Sequence, residues 1–221
     1  MTEPFAHFGL ISCTRPPHAR GATLHWRTLP GSPSPDAHVT IPTLVTDRLI
    51  LRPFVHEDLG ELVALHAEDS FWWYPLRGPM TAEQTAGFLV RTMERYDSDG
   101  VGIEAVIDRQ SGAMIGWAGL AIPHFLPEVL PAVEAGWRLA GSSRGRGLAT
   151  EAGRAAVDWG FTDGGLRRIV SIYEPENVAS GKVMEHLGFQ PFLTTTDPLR
   201  GMSVIVTELT LEEWEARRQD A

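Results

Sequence analysis

A strand that runs into a glycine-rich turn and then directly into a helix does most to limit what this chain can become. Val133–Leu139 reads as the strand, and residues 140–147 carry Gly141, Gly145 and Gly147 beside Arg144 and Arg146. Leu148, Ala152, Ala155, Ala156 and Trp159 then recur at helical spacing and predict a helix from about Leu148 to Phe161. The start of such a helix offers unpaired backbone N–H groups and about half a positive charge. Glycines ahead of it let the main chain approach a ligand with no Cβ in the way. Together these features suit phosphate or pyrophosphate, and the two arginines add formal charge. No Gly-Lys-Ser/Thr follows, so the Walker pattern fails, and the third glycine of the dinucleotide pattern is missing. The anion that fits is the pyrophosphate of another cofactor.

The surrounding pattern is a sheet with helices on both faces. Leu49 to Phe54 is a short strand ending at a proline, and His56-Glu57-Asp58 opens a helix with Leu59, Leu62, Val63 and His66 on one side. A loop from Ser70 to Pro79 holds Phe71-Trp72-Trp73-Tyr74. Thr81 and Gln84 form a capping box for a helix carrying Phe88, Leu89, Thr92, Met93 and Tyr96. Strands over Gly102–Asp108 and Ala113–Ile122 flank a hairpin turn at Arg109–Gly112. Arg168–Tyr173 is a strand, Asn177–Leu187 a helix with Gly188 just past its end, and strands near Phe192–Thr195 and Met202–Leu209 follow. Leu211–Arg218 reads as a last short helix. Strands in a run, then strands alternating with helices, imply an α/β or α+β sheet.

Residues 1–43 are different. Pro4, Pro16, Pro17, Pro30, Pro33, Pro35 and Pro42 crowd here, and proline fixes its own φ, removes a donor and restricts its predecessor. The expectation is a loosely ordered proline-rich extension over 1–43, a domain over 44–210 and a short tail over 211–221. His7, His18, His25 and His38 in the extension lack metal-ligand spacing, and no metal site is expected.

Composition narrows the function. Lys182 is the only lysine, and the net charge is −9, which argues against nucleic acid as a partner because phosphate contacts need clustered cations. Cys13 is the only cysteine, so an internal disulfide and a multi-cysteine metal site are both excluded and a reducing compartment is expected. No apolar run approaches the roughly 18–20 residues of a membrane span, and Glu3 stands where a secretory signal needs basic residues. A cytoplasmic protein with no membrane partner is the resulting expectation.

Arg144-x-x-Gly147-x-Ala149 resembles the Arg/Gln-x-x-Gly-x-Gly/Ala signature of the GNAT superfamily of N-acetyltransferases. The likeness extends further. Thr46-Asp47-Arg48-Leu49-Ile50-Leu51-Arg52-Pro53 is similar to the opening strand of the branch that acetylates ribosomal-protein N-termini. Glu134-Ala135-Gly136-Trp137 is similar to that branch's fourth strand, and Pro175-Glu176-Asn177-x-x-Ser180 with Leu187-Gly188-Phe189 to its later helix. The resemblance implies a mixed central sheet of about six or seven strands, splayed between the fourth and fifth. It implies acetyl-CoA as cofactor, its pyrophosphate on the backbone from Arg144 through Gly145, Arg146, Gly147 and Leu148 to Ala149 and Thr150. The pantetheine arm would lie in the split, against Trp137, Arg138 and Leu139. Asn177 would bond the pantetheine or order the helix start, and Ser180 would stand near the departing sulfur. The acceptor would be a primary amine, on a protein N-terminus or a small molecule, and dimers are common in that branch.

On this reading Glu134 is the candidate base, by its position on the strand, since an ammonium must lose a proton before it can attack. A backbone N–H of the same strand would polarise the thioester carbonyl. Many family members place a tyrosine acid seven residues after the asparagine, where this chain has Met184; Ser180 is the candidate in its place, ahead of Tyr173. Trp72, Trp73 and Tyr74 are candidates for the acceptor pocket, which through cation–π contact would suit a flat or cationic acceptor. Plainer readings stand beside these. Asn177 and Ser180 also make an ordinary helix start, Glu134 could be a solvated rung or the partner of Arg138, Arg144 and Arg146 could be surface charges, and His124 and His186 are read as structural or exposed. A CoA-binding module without turnover is the alternative function.

Overall fold

Sequence punctuation keeps the first strands short. In the computed structural model, which describes residues 41–72 and 78–219, β1 (Leu44–Val45) and β2 (Leu49–Arg52) turn about Thr46. The Thr46 N–H donates to the Leu49 carbonyl, and the Leu49 N–H donates back to the Thr46 hydroxyl at 3.0 Å. Pro53 has no N–H for the ladder, and β2 stops before it. A 3-10 turn at His56–Asp58 leads into α1 (Leu59–His66). Arg52 grips Asp58 with two bonds, at 2.8 and 2.7 Å. The capping box holds as expected. Thr81 Oγ1 accepts the Gln84 N–H, Gln84 returns a bond to the Thr81 N–H, and α2 (Ala82–Asp99) follows, ending at Gly100.

The remaining elements are β3 (Ile103–Asp108), β4 (Met114–Ala121), β5 (Glu134–Leu139), α3 (Leu148–Phe161), β6 (Arg168–Tyr173), α4 (Val178–Leu187), β7 (Gln190–Asp197), β8 (Met202–Thr210) and α5 (Leu211–Gln219). They form one eight-stranded sheet in the order β1-β2-β3-β4-β5-β6-β8-β7. The strand number thus exceeds the six or seven expected, and the two-residue edge strand β1 is too short to show any alternation. All neighbours are antiparallel except β5 and β6. The alternation of strand side chains divides the core. Ile103, Ala105 and Trp117 pack with Phe54, Leu62, Phe71 and Phe88 of the α1–α2 side. Val106 and Ala118 pack with Leu148 and Ala152 of α3 on the opposite face. Leu187 and Met184 of α4 join Val133, Ala135 and Ile169 on that same face. α5 is tied to α3, its Trp214 indole N–H donating to Asp158 at 2.7 Å.

A buried charged clamp fixes the far end of the sheet. The β7–β8 hairpin carries Arg200, almost wholly buried, which pairs with Glu174 at the end of β6 and lies 3.8 Å from Asp197. This clamp joins the hairpin to the turn that leads into α4.

Candidate active site

β5 and β6 share one register position, Glu134 opposite Val170, where the Val170 N–H donates to the Val133 carbonyl at 2.9 Å. Beyond that point the strands part. Alternation along β5 turns the amides and carbonyls of Glu134, Gly136 and Arg138 toward β4, so those of Ala135, Trp137 and Leu139 face the gap. The Trp137 N–H is therefore the first amide past the apex that points into the split.

The crook below the split is built by backbone shape. Gly145 and Gly147 have φ of +70° and +74°, a region costly for side-chain-bearing residues, and Gly147 is the N-cap of α3. The first bond of α3 runs from the Glu151 N–H to Gly147, which leaves the amides of Leu148, Ala149 and Thr150 free of intrahelical partners. α3 lies close to β5 because Gly153 faces the Trp137 ring, where a Cβ would come within 3.1 Å. Between β5, the crook and α4 lies a crevice of about 370 Å³. Trp137, Arg138, Leu139, Arg144, Gly145, Gly147, Leu148, Ala149, Thr150, Asn177 and Ser180 all line it. The sequence reading missed Lys182 and His186, which also line it from α4. Their spacing from Ala179 and Val183 on one helical face was a usable signal. The residues fit a CoA-type ligand: free amides and Lys182 for a diphosphate, and strand edges for an extended arm.

The arginines behave differently from their backbones. Arg146 does not line the crevice; its guanidinium lies 4.0 Å from Asp108, and its carbonyl accepts a bond from Arg48. The Arg144 guanidinium reaches the Ser70 carbonyl. Arg138 sends its guanidinium to the opposite face, 4.7 Å over the Trp72 ring and 5.7 Å over Trp117, where it donates to the Phe71 carbonyl at 3.0 Å. Arg138, expected against the pantetheine arm, lines the crevice while its guanidinium braces the α1–α2 side, and the Arg146 side chain, expected at the cofactor, points away toward Asp108. Trp72, expected at the acceptor pocket, is turned inward. It lies in the α1–α2 core, with its indole N–H on the His66 carbonyl at 2.7 Å. Trp73 and Tyr74 lie outside the described residues, as do Cys13 and the four histidines of the extension.

Glu134 is 4% exposed, neither a solvated rung nor the partner of Arg138. Its Oε2 is buried without a hydrogen-bond partner. Burial raises its pKa well above the ordinary carboxylate range, and the backbone N–H of Ile172 opposes that rise. At the α4 end, the Ser180 N–H donates to Asn177 Oδ1 at 3.2 Å, so the Asn177 side chain caps the helix. Met184 is buried and near Thr207. The Tyr173 ring rests over Gly181. Among the described residues no cluster of metal-ligating side chains occurs, and no helix is long and apolar enough to cross a membrane.

Known proteins share this architecture. The chain is 29% identical over 149 residues to an uncharacterized N-acetyltransferase, p20, of Bacillus licheniformis, covering 67% of this chain and 82% of that protein. The ribosomal-protein-S5-alanine acetyltransferase of Vibrio fischeri superposes with a TM-score of 0.64 at 20% identity, over 78% of this chain and 98% of that one. The microcin C7 self-immunity acetyltransferase MccE, solved in complex with acetyl-CoA and AMP, gives 0.62 at 14% identity, over 78% and 98%. These two likenesses are of fold. The model of the acetyltransferase (GNAT) domain matches residues 48–190, from β2 through α4 and into β7, and the chain belongs to that family.

Proposed function

We propose that this protein transfers an acetyl group from acetyl-CoA to a primary amine, with Glu134 as the base. The observation that carries the reading is the buried Oε2 of Glu134, an acceptor without a protein partner at the apex of the split. An amine N–H is the kind of donor that position favours. Acetyl-CoA supplies an acyl group already activated as a thioester, with a thiol leaving group of pKa about 8.5. Glu134 takes the proton that the attacking nitrogen must lose, and its raised pKa makes it a stronger base than an ordinary carboxylate. The Trp137 N–H donates to the carbonyl oxygen as charge builds there. Ser180, half-buried on the crevice wall, returns a proton toward the sulfur. The amides of Leu148, Ala149 and Thr150, with Lys182, hold the diphosphate. Trp73 and Tyr74 belong to the acceptor side, and the protein acts in the cytoplasm on a protein N-terminus or a small amine. A homodimer is compatible with this site.

The test is thiol release from acetyl-CoA with a panel of primary amines, together with Glu134→Gln. The glutamine variant binds acetyl-CoA normally but loses roughly 10²–10⁴-fold in kcat, and the acidic limb of the pH–rate profile disappears with the carboxylate. Full turnover by the variant would remove Glu134 as base. Met184, in place of a tyrosine, favours one second reading, a CoA-binding module without turnover. Tight binding with no thiol release across the panel would establish that instead.

A further inference from the structure

We infer that Arg154 of α3 binds the 3′-phosphate of coenzyme A and so sets a preference for CoA over its 3′-dephospho form. This role rests on the reading of acetyl-CoA as the donor, and it deepens that reading. The crevice continues beyond the crook. An open groove of about 950 Å³ passes the exposed side of α3, and it shares Gly147, Thr150 and His186 with the crevice. The two depressions therefore meet beside the start of α3, where the amides of Leu148, Ala149 and Thr150 lack intrahelical partners. A diphosphate held by those amides has a substituent on each side. One is an extended arm, which the strand edges of the split suit. The other is a nucleoside bearing the 3′-phosphate, and the groove is the continuation open to it.

Arg154 is the cation that this groove presents without a partner. It lies four residues after Thr150, on the same side of α3. It is exposed, and it makes no hydrogen bond or ion pair among the described residues. The acids that helical spacing sets beside it are already engaged. Glu151, three residues earlier, accepts from the Arg48 guanidinium and from the Thr46 hydroxyl, each at 2.6 Å. Asp158, four residues later, accepts the Trp214 indole N–H at 2.7 Å and lies 3.8 Å from the Arg218 guanidinium. Arg218 in turn stands 4.7 Å over the Trp214 ring, so it is committed to α5 and Asp158. The remaining acids of the groove are Asp47, on the β1–β2 turn, and Asp163, past the end of α3. An unengaged guanidinium fork matches phosphate oxygens two at a time. The hydroxyl left by removing the 3′-phosphate brings no charge to it.

The experiment is calorimetric titration of the full chain with CoA and with 3′-dephospho-CoA, no amine being present. The parent protein binds CoA about fivefold more tightly than the dephospho form, the scale of an exposed ion pair strengthened by a phosphate. Arg154→Gln removes that difference by weakening CoA alone, and Tm stays the same because the side chain is exposed. Arg154→Lys keeps the charge without the fork and retains part of the preference. Lys182→Ala weakens both ligands alike, since the diphosphate is common to them. Arg154→Gln that weakens neither ligand, or both equally, overturns the inference. If neither ligand binds the parent, the acetyl-CoA reading and the role of Arg154 fall together. If both bind and Arg154→Gln acts on CoA alone, Arg154 keeps its role even where no amine supports turnover and the acetyl-transfer reading fails.

Discussion

His66 has no exposed surface, and three aromatic rings, of Phe71, Trp72 and Phe88, surround its imidazole at 5.1–5.3 Å. Nδ1 lies 3.2 Å from the Thr85 hydroxyl, and Nε2 has no hydrogen-bond partner. Burial, and secondarily the Arg138 charge, push its pKa down from 6.5 to about 3. The unfolded chain therefore takes up a proton below about 6.5 that the folded chain refuses until about 3. Stability from this residue is complete above that window and drains away as pH falls through it. His66→Gln, which keeps a partner for Thr85, flattens the decline of Tm between pH 7 and 4.5; parallel curves for the two proteins would exclude this account. Gly147 is a second residue-scale constraint. An added Cβ would come no nearer than 3.7 Å to any atom, so space is not the issue. The positive φ is. Gly147→Ala costs about 1–2 kcal/mol in that conformation. The measurable result is a lower Tm and weaker acetyl-CoA binding by calorimetry, because relieving the strain moves the first amides of α3.

At the scale of elements, α4 presents Asn177, Ser180, Lys182 and His186 to the crevice while burying Met184 and Leu187 on the other side. Lys182 is exposed, so Lys182→Ala leaves Tm nearly unchanged. It weakens acetyl-CoA binding and reduces the dependence of that binding on salt, since one screened charge pair is lost. A variant with the parent's affinity and salt response would take Lys182 off the diphosphate. Helices were the most legible elements. α3 runs over Leu148–Phe161 as its spacing indicates, and Thr81–Gln84 and Asn177 with Gly188 mark the ends of α2 and α4 through local bonds. Strand ends were less so. β7 runs from Gln190 to Asp197, longer than the apolar pattern suggests, because pairing with β8 extends it. Within the site, the crook was legible, since glycine and helix start are neighbours in sequence. The fates of Arg138 and Ser171 were not. Arginine in an aromatic box depends on Trp72 and Trp117, and Ser171 bonds a carbonyl 36 residues away. Only the assembled sheet brings such partners together.

The molecule as a whole is a sheet with rungs missing at one seam. Antiparallel pairing is continuous from β1 to β5 and again from β6 through β8 to β7, and the seam between them holds a single register pair. Side chains bridge its apex, and the α3–α4 layer packs beneath both halves. An extended ligand arm in the seam would supply strand-like partners to the Trp137 and Leu139 amides, while its diphosphate engages the start of α3. Binding to the folded state alone stabilises it by RT ln(1 + [L]/Kd), about 2.7 kcal/mol at a hundredfold excess over Kd. Hydrogen exchange then distinguishes seam filling from general tightening. With CoA present, the Trp137, Leu139, Leu148, Ala149 and Thr150 amides exchange more slowly than the global gain accounts for. Amides in the β3–β4 hairpin, already paired with each other, slow no more than that gain. Protection spread evenly over both halves of the sheet, with no excess at Trp137, would place the ligand outside the seam and detach the crook from the chemistry assigned to it.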